Sequence, residues 1–365
     1  MTQTYDVAVI GAGMAGASLA AEIAPHARVL VAEAETIPGY HATGRSAAFW
    51  EECYGGPAVV PLTLASGPYL RELGMLSPRG ALYVARARDE VAVDAFMARF
   101  AASGVDIQKI GRSALEQRLP GVRAEWTLAI SEPACADIDV AGLHQHYLAR
   151  ARARGADLRT SARLEAAERE GEGWRLSFGK AGDARARVLV DAAGAWADEV
   201  AALAGAPPLG ITPYRRTVSQ LRTEPSPQAD LPLVLDIAGG FYFKPEHGRL
   251  WLSPHDETPS APCDAAAEEL DVAIAIDRFE RVVDWHVTAV ERKWAGLRSF
   301  APDRLPVYGH DPARAGFFWF AGQGGFGIQT APAAARLGAQ LLLGLPRDDM
   351  TERLDAACYA PGRFG

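Results

Sequence analysis

The chain has 365 residues, 49% of them hydrophobic and 22% charged, with a formal net charge of −8 and a pI of about 5.6. That is the composition of an ordinary globular protein of more than one core, and two domains are expected. The acidic balance argues against a nucleic-acid partner or an acidic membrane surface, and no apolar run reaches the roughly 18 residues that span a bilayer.

Residues 5–10 read as a buried strand, residues 14–24 as a small-residue helix and residues 28–33 as a second strand. Between the first two lies Gly11-Ala-Gly-Met-Ala-Gly16. Gly11 permits the tight turn, Gly13 lets the backbone approach a pyrophosphate, and Gly16 lets helix pack on strand. The helix N-terminus then faces the phosphates. Glu33 arrives about 20 residues on, where a carboxylate binds a ribose hydroxyl. This unit predicts an adenine dinucleotide.

The segment 39–48 follows, rich in small residues and hydroxyls, where an NAD enzyme would continue with helix and strand. Helices are expected at 57–73 and 89–102, with a strand at 80–85 between them. A further helix opens at Ser113-Ala-Leu-Glu116 in a capping-box pattern, and Asp139 caps a helix through Arg154. Strands recur at 157–166, 174–178 and 187–192, then at 217–221, 233–236, 240–244 and 249–252. A helix is expected from 265 to 283. Residues 321–330 form a second glycine-rich turn, followed by a helix over 331–343. Two glycine-rich segments at opposite ends of the chain imply that both wrap one long ligand. Cys53, Cys135, Cys263 and Cys358 lack CxxC spacing, so neither disulfides nor a zinc site is expected. His144 and His146 stand two apart on a predicted helix and point to different faces, so no metal is expected there.

With Val188-Leu-Val-Asp-Ala-Ala-Gly-Ala-Trp196 and Trp294-Ala-Gly-Leu-Arg-Ser-Phe300 between the glycine-rich ends, the pattern resembles the D-amino-acid-oxidase superfamily of FAD flavoproteins. Within it, the chain is most similar to bacterial FAD-dependent D-amino-acid dehydrogenases of the D-arginine type. The likeness covers nearly the whole chain and is most specific at 39–48, 294–300 and 321–330. It implies an α/β fold in which a Rossmann-like FAD-binding domain (1–75, 139–212 and 291–365) is interleaved with an antiparallel-sheet substrate domain (76–138 and 213–290). FAD is then expected against Gly11, Gly13, Met14, Ala15, Gly16, Glu33 and Ala34. Further contacts are expected from Thr43, Gly44, Arg45, Ser46, Ala47, Ala48, Ala193, Gly194 and Trp196, and from Gly324, Gly325, Phe326, Gly327, Ile328, Gln329 and Thr330.

An amino-acid substrate presents a carboxylate, and arginine is its best buried partner because the planar fork binds both oxygens. By resemblance, Arg298 and Arg216 clamp that carboxylate with help from Tyr54 and Tyr242, and the Gly325 carbonyl accepts from the amine. The implied reaction is oxidative deamination of a D-amino acid by hydride transfer to flavin N5, giving the imino acid and then the 2-keto acid. No general base is assigned. The electron acceptor is expected to be a quinone or another carrier in preference to oxygen.

Three pocket positions depart from the arginine-type pattern: Phe49 replaces His, Glu51 replaces Thr and Ala81 replaces a side-chain-binding Glu. Losing the carboxylate at Ala81 argues against a guanidinium substrate, whereas Glu51 could restore a charge; it is expected either to meet a cation or to lie in solvent. Basic and neutral side chains both stay open. So do a secondary amine or 2-hydroxy acid as substrate, a tRNA-modifying flavoprotein (disfavoured by the acidic pI) and a non-enzymic dinucleotide-binding subunit. The strand pattern beginning by Tyr5, with no basic and apolar lead-in, predicts no leader and a cytoplasmic location.

Overall fold

The strand Gln3–Ile10 is the centre of an eight-stranded sheet in the computed structural model, which describes residues 3–364. It pairs in parallel with Val29–Ala32 on one side and Asp183–Asp191 on the other, and Asp157–Arg159 extends the sheet beyond Val29–Ala32. Phe317–Ala321 joins the second half of Asp183–Asp191, also in parallel, with Leu189 opposite Phe317. Antiparallel strands Ala166–Glu170 and Gly173–Ser177 flank the first half, and Val307–His310 lies outside Phe317–Ala321. Parallel strands are covered on both faces, which is why they read as unbroken apolar runs. One face carries the helices Met14–Ile23, Val140–Ala153 and Ala331–Leu343. Their small residues permit close packing: a Cβ on Gly338 would come within 2.7 Å of the Phe320 ring. The helix Ala197–Ala204 covers the other face.

The second sheet has nine strands. Its spine is the antiparallel ladder between Thr212–Glu224 and His286–Phe300, with Tyr214 opposite Arg298 and Arg216 opposite Gly296. Arg249–Ser253, Tyr242–Glu246, Leu233–Asp236, Ala81–Arg86, Trp126–Glu132 and Gln108–Gly111 follow in that order. One face packs on the helix Glu269–Glu280 through Phe243, Phe279 and Trp285; the other carries Tyr83, Val218 and Tyr242. A small third sheet joins Phe49–Trp50, Ala136–Ile138 and Leu76–Pro78. The two large sheets draw on interleaved stretches of chain. The expected division at residue 291 falls inside the His286–Phe300 strand, and the expected domain ends at 1–2 and 365 lie outside the described residues.

Three local expectations differ. The single run at 157–166 is two strands in different parts of the sheet, Asp157–Arg159 and Ala166–Glu170. The helix expected from 265 begins at Glu269, because Asp264 and the Ala265 carbonyl are held by the Arg45 guanidinium. Ser113 is not a cap: the helix Arg112–Arg118 starts after Gly111, and the Arg112 guanidinium donates to the carbonyls of Val122, Arg123 and Trp126 beyond the helix. Asp139 does cap its helix, accepting from the Gly142 amide at 2.8 Å. No helix among the described residues is long and apolar enough to cross a membrane.

Candidate flavin and substrate cleft

The turn after the first strand is built from contacts that only glycine tolerates. Gly11 has φ +101°, and a Cβ there would sit 2.5 Å from the Ala192 carbonyl oxygen. A Cβ on Gly16 would sit 1.9 Å from the Gly11 carbonyl oxygen. The result is a helix N-terminus at the carboxyl edge of the parallel strands, where its free amides favour an anion. Thr43 Oγ1 accepts from the Met14 amide at 2.9 Å. Glu33 accepts from the Ala12 amide at 2.8 Å and the Glu35 amide at 2.9 Å, which fixes its carboxylate beside the glycines with acceptor capacity to spare.

From this point a solvent-open cleft runs to the face of the second sheet. Most of the expected cofactor positions line it: Gly11, Gly13, Met14, Ala15, Glu33, Ala34, Thr43, Arg45, Ser46, Ala47, Ala193, Gly194, Trp196, Gly324, Gly325, Gly327 and Ile328. Six stand behind the wall and shape it. Gly16 and Gly44 admit close backbone, the latter against the Gly39 carbonyl. Ala48 has φ 58° and turns the chain into the third sheet. Phe326 packs against Tyr54 and Phe300, Thr330 bonds back to the Phe326 carbonyl, and the Gln329 amide clasps the Glu51 backbone. Arg45 borders the cleft, but its guanidinium is spent on Asp264 and on the carbonyls of Ala265 and Ala295. A long ligand with a phosphate group, a ribose and a flat ring fits this donor set and this run of side-chain-free backbone.

At the far end, strand alternation does the placing. Arg216, Val218, Gly296 and Arg298 share one face of the ladder, so the two arginines are diagonal neighbours. Arg215 points the other way, into ion pairs with Glu268 and Asp271. Arg298 donates to the Tyr54 hydroxyl at 2.5 Å, its one side-chain hydrogen bond among the described residues. Arg216 is 4% exposed; its Nε donates to the Asp256 carbonyl at 2.6 Å and its Nη2 to Glu257 at 3.2 Å, while Nη1 has no partner among the described residues. Burial and the Arg298 charge lower the Arg216 pKa to about 10, so it stays charged at neutral pH. The Tyr242 hydroxyl is likewise buried without a partner. Burial, with the charges of Arg216 and Arg298, pushes the neighbouring His255 down to about 3, leaving a neutral ring edge-on to Tyr242.

A family model described as "FAD dependent oxidoreductase" matches residues 6–341. The chain belongs to this DAO family. FAD is therefore its cofactor, and the cleft is where the family's glycine turn, Glu33 and the second glycine loop would hold it. Among relatives of this DAO oxidoreductase, the FAD-dependent oxidoreductase domain-containing protein 1 of Bos taurus is 27% identical over 172 residues, 43% of this chain and 35% of that protein. The chain thus matches about a third of that relative's length. Among solved structures, glycine oxidase from Geobacillus kaustophilus superposes with a TM-score of 0.85 at 24% identity, covering 98% of each chain. L-proline dehydrogenase from P. horikoshii gives 0.85 at 21% identity, covering 100% of this chain and 98% of that one.

The three departures in this DAO oxidoreductase resolve differently. Phe49 is half-buried between Tyr54 and Tyr242, with ring centroids 6.1 and 5.5 Å away. Ala81 is buried in its strand. Glu51 contradicts both expectations for it: it is 1% exposed and meets no cation among the described residues, but lies against Tyr83 and Glu132. Glu132 stands opposite Ala81 in the ladder, so a carboxylate does occupy this region, one strand across. No sequence signal marked Glu132, because it ends an apolar strand run. Two further buried groups were given no place at the site by the sequence reading. His144, its pKa lowered by burial, bonds the Ala12 carbonyl at 2.8 Å under the first glycine turn. Asp191, within the quoted 188–196 motif, is fully buried with Oδ2 unpartnered, and burial drives its carboxyl well above the usual range.

Proposed function

We propose that this oxidoreductase removes two electrons from the Cα–N bond of an amino acid, foremost a D-amino acid with a neutral side chain. The imine so formed is hydrolysed to the 2-keto acid and ammonia. The observation that carries this reading is the unmet donor set at the end of the cleft: Arg298 without a carboxylate, and Arg216 Nη1 and Tyr242 Oη buried without partners. Buried donors of this kind are costly unless a ligand meets them, and a carboxylate meets all three. FAD bound in the cleft supplies the two-electron acceptor. Arg298 and Arg216 hold the carboxylate, Tyr54 steadies Arg298, and the Gly325 carbonyl accepts from the amine.

The D configuration and a quinone-like electron acceptor rest on the likeness of residues 39–48, 294–300 and 321–330 to D-amino-acid dehydrogenases. A neutral side chain is supported by Ala81, by the withdrawal of Glu51 from the cleft and by the Phe49 and Tyr242 rings. A second reading, glycine or a secondary amine, is supported by the structural neighbours named for glycine and L-proline. The test is anaerobic addition of D- and L-amino acids, glycine, sarcosine and proline, one at a time, to the yellow holoprotein. Bleaching by neutral D-amino acids is expected. Bleaching only by glycine or secondary amines selects the second reading, and bleaching by none removes amine oxidation.

A further inference from the structure

The turn that carries Tyr54 is anchored on two buried acids that the proposed reaction does not use. The Glu52 amide donates to Glu132 Oε1 at 2.7 Å, and the Tyr54 amide closes the turn on the Glu51 carbonyl at 3.3 Å. The Gln329 side chain brackets the Glu51 backbone at 3.2 and 2.9 Å. One oxygen each from Glu51 and Glu132, with the Cys53 sulfur, lie within 4.8 Å of one another. Glu51 Oε1 accepts from the Tyr83 hydroxyl, whereas Glu132 Oε2 is buried without a hydrogen-bond partner among the described residues.

We propose that Glu51 and Glu132 share one proton, and that Glu132, through the backbone of residues 51–54, is the positioning residue that keeps the Tyr54 hydroxyl on Arg298. A proton held between the two carboxyls gives Glu132 Oε2, the atom left over, a donor. Two adjacent buried carboxyls cannot both ionise without a counter-ion, and neither ion-pairs with a lysine or arginine among the described residues. Burial and mutual repulsion drive Glu51 well above the usual carboxylate range, and burial raises Glu132.

The other groups facing the pair do not supply the missing charge. Glu52, Cys53, Tyr83 and Cys135 are acids whose own pKa values rise there. Arg71 offsets Glu52 and stacks on Trp50, Asp106 adds negative charge at Glu52, and Lys244 is paired with Asp137 and Glu246. The proton is held below the raised pKa and lost as pH climbs through it. With it goes the seat of the turn, so carboxylate binding weakens on the alkaline side.

This inference rests on the clamp reading for its consequence, but its own tests need no turnover. The probe for binding is benzoate, a carboxylate with no amine to oxidise, followed by its perturbation of the flavin spectrum in the holoprotein. Glu132→Ala is expected to weaken benzoate about tenfold with FAD retained, and Glu132→Gln, whose amide N–H replaces the proton, to recover most of that loss and flatten the alkaline limb. Infrared difference spectra, wild type minus Glu51→Gln at neutral pH, should show one lost C=O stretch of a buried carboxylic acid, over the band that Asp191 contributes to both proteins. No such band, or an alkaline limb unchanged in both Gln variants, overturns the shared proton. Benzoate affinity unchanged in Glu132→Ala overturns the positioning role, and stoichiometric zinc uptake abolished by Cys53→Ser overturns the pair as a proton site. If the wild type ignores benzoate, the clamp reading fails, while the infrared band still decides the proton.

Discussion

In the proposed clamp, Arg298 and Arg216 differ in kind. Arg298 has a single neutral partner, whereas Arg216 is held by the 256–257 loop with one nitrogen left over. Removing one side of a buried charge–ligand pair costs about 2–5 kcal/mol. Arg298→Ala should therefore lower kcat/KM by at least about 30-fold while the protein stays yellow. An unchanged kcat/KM would take the clamp out of the chemistry. The buried acids make a separate prediction about stability. The folded protein keeps a proton on Glu52, raised by burial and by Glu132 to about 7, that the unfolded chain releases near the ordinary glutamate value of 4.5. Across that window the native state binds more protons, so stability falls as pH rises. The melting temperature should drop between about pH 5 and 8, and Glu52→Gln should flatten the slope; a slope identical to wild type would place the titration elsewhere.

At the scale of elements, the site depends on ladders and turns that permit very close approach. A Cβ on Gly325 would lie 1.8 Å from the Tyr54 hydroxyl and 3.1 Å from Arg298 Cδ. Gly325→Ala should push Tyr54 off Arg298 and cut kcat/KM about tenfold or more, with the flavin still bound. Measuring FAD content and kinetics on the same preparation separates this outcome from a lost cofactor. The register of Thr212–Glu224 against His286–Phe300 matters equally: a one-residue slip would send Arg216 to the face where Arg215 now makes ion pairs.

For the whole molecule, the cleft exists because two sheets from interleaved stretches of chain meet along the segment 39–48. Arg45 is the tie: it reaches Asp264 and the Ala265 and Ala295 carbonyls, and its guanidinium lies 5.1 Å from the Tyr40 ring centroid. Arg45→Ala should weaken FAD retention about tenfold through the loosened seam, not through a lost flavin contact. Reconstitution of the apoprotein with FAD reads this directly, and an unchanged FAD affinity would make the tie incidental.

Sequence alone determined the parts that are local. Gly11, Gly13, Gly16 and Glu33 occupy fixed steps of one strand–turn–helix–strand unit, so their spacing predicts both geometry and ligand. The glycines at 324–327 announce themselves in the same way, because backbone approach leaves a compositional mark. The Asp139 cap was legible for the same reason. What only the tertiary structure decided is everything set by pairing between distant strands. Nothing near Arg216 in sequence says that Gly296 lies opposite it, or that Arg298 is its diagonal neighbour. Glu51 could not be placed without Glu132, which is 81 residues away (132 − 51) and visible beforehand only as the end of an apolar strand. Charge in a sequence carries no burial, and whether a carboxylate meets water, a cation or another carboxylate is settled only when separate strands pack.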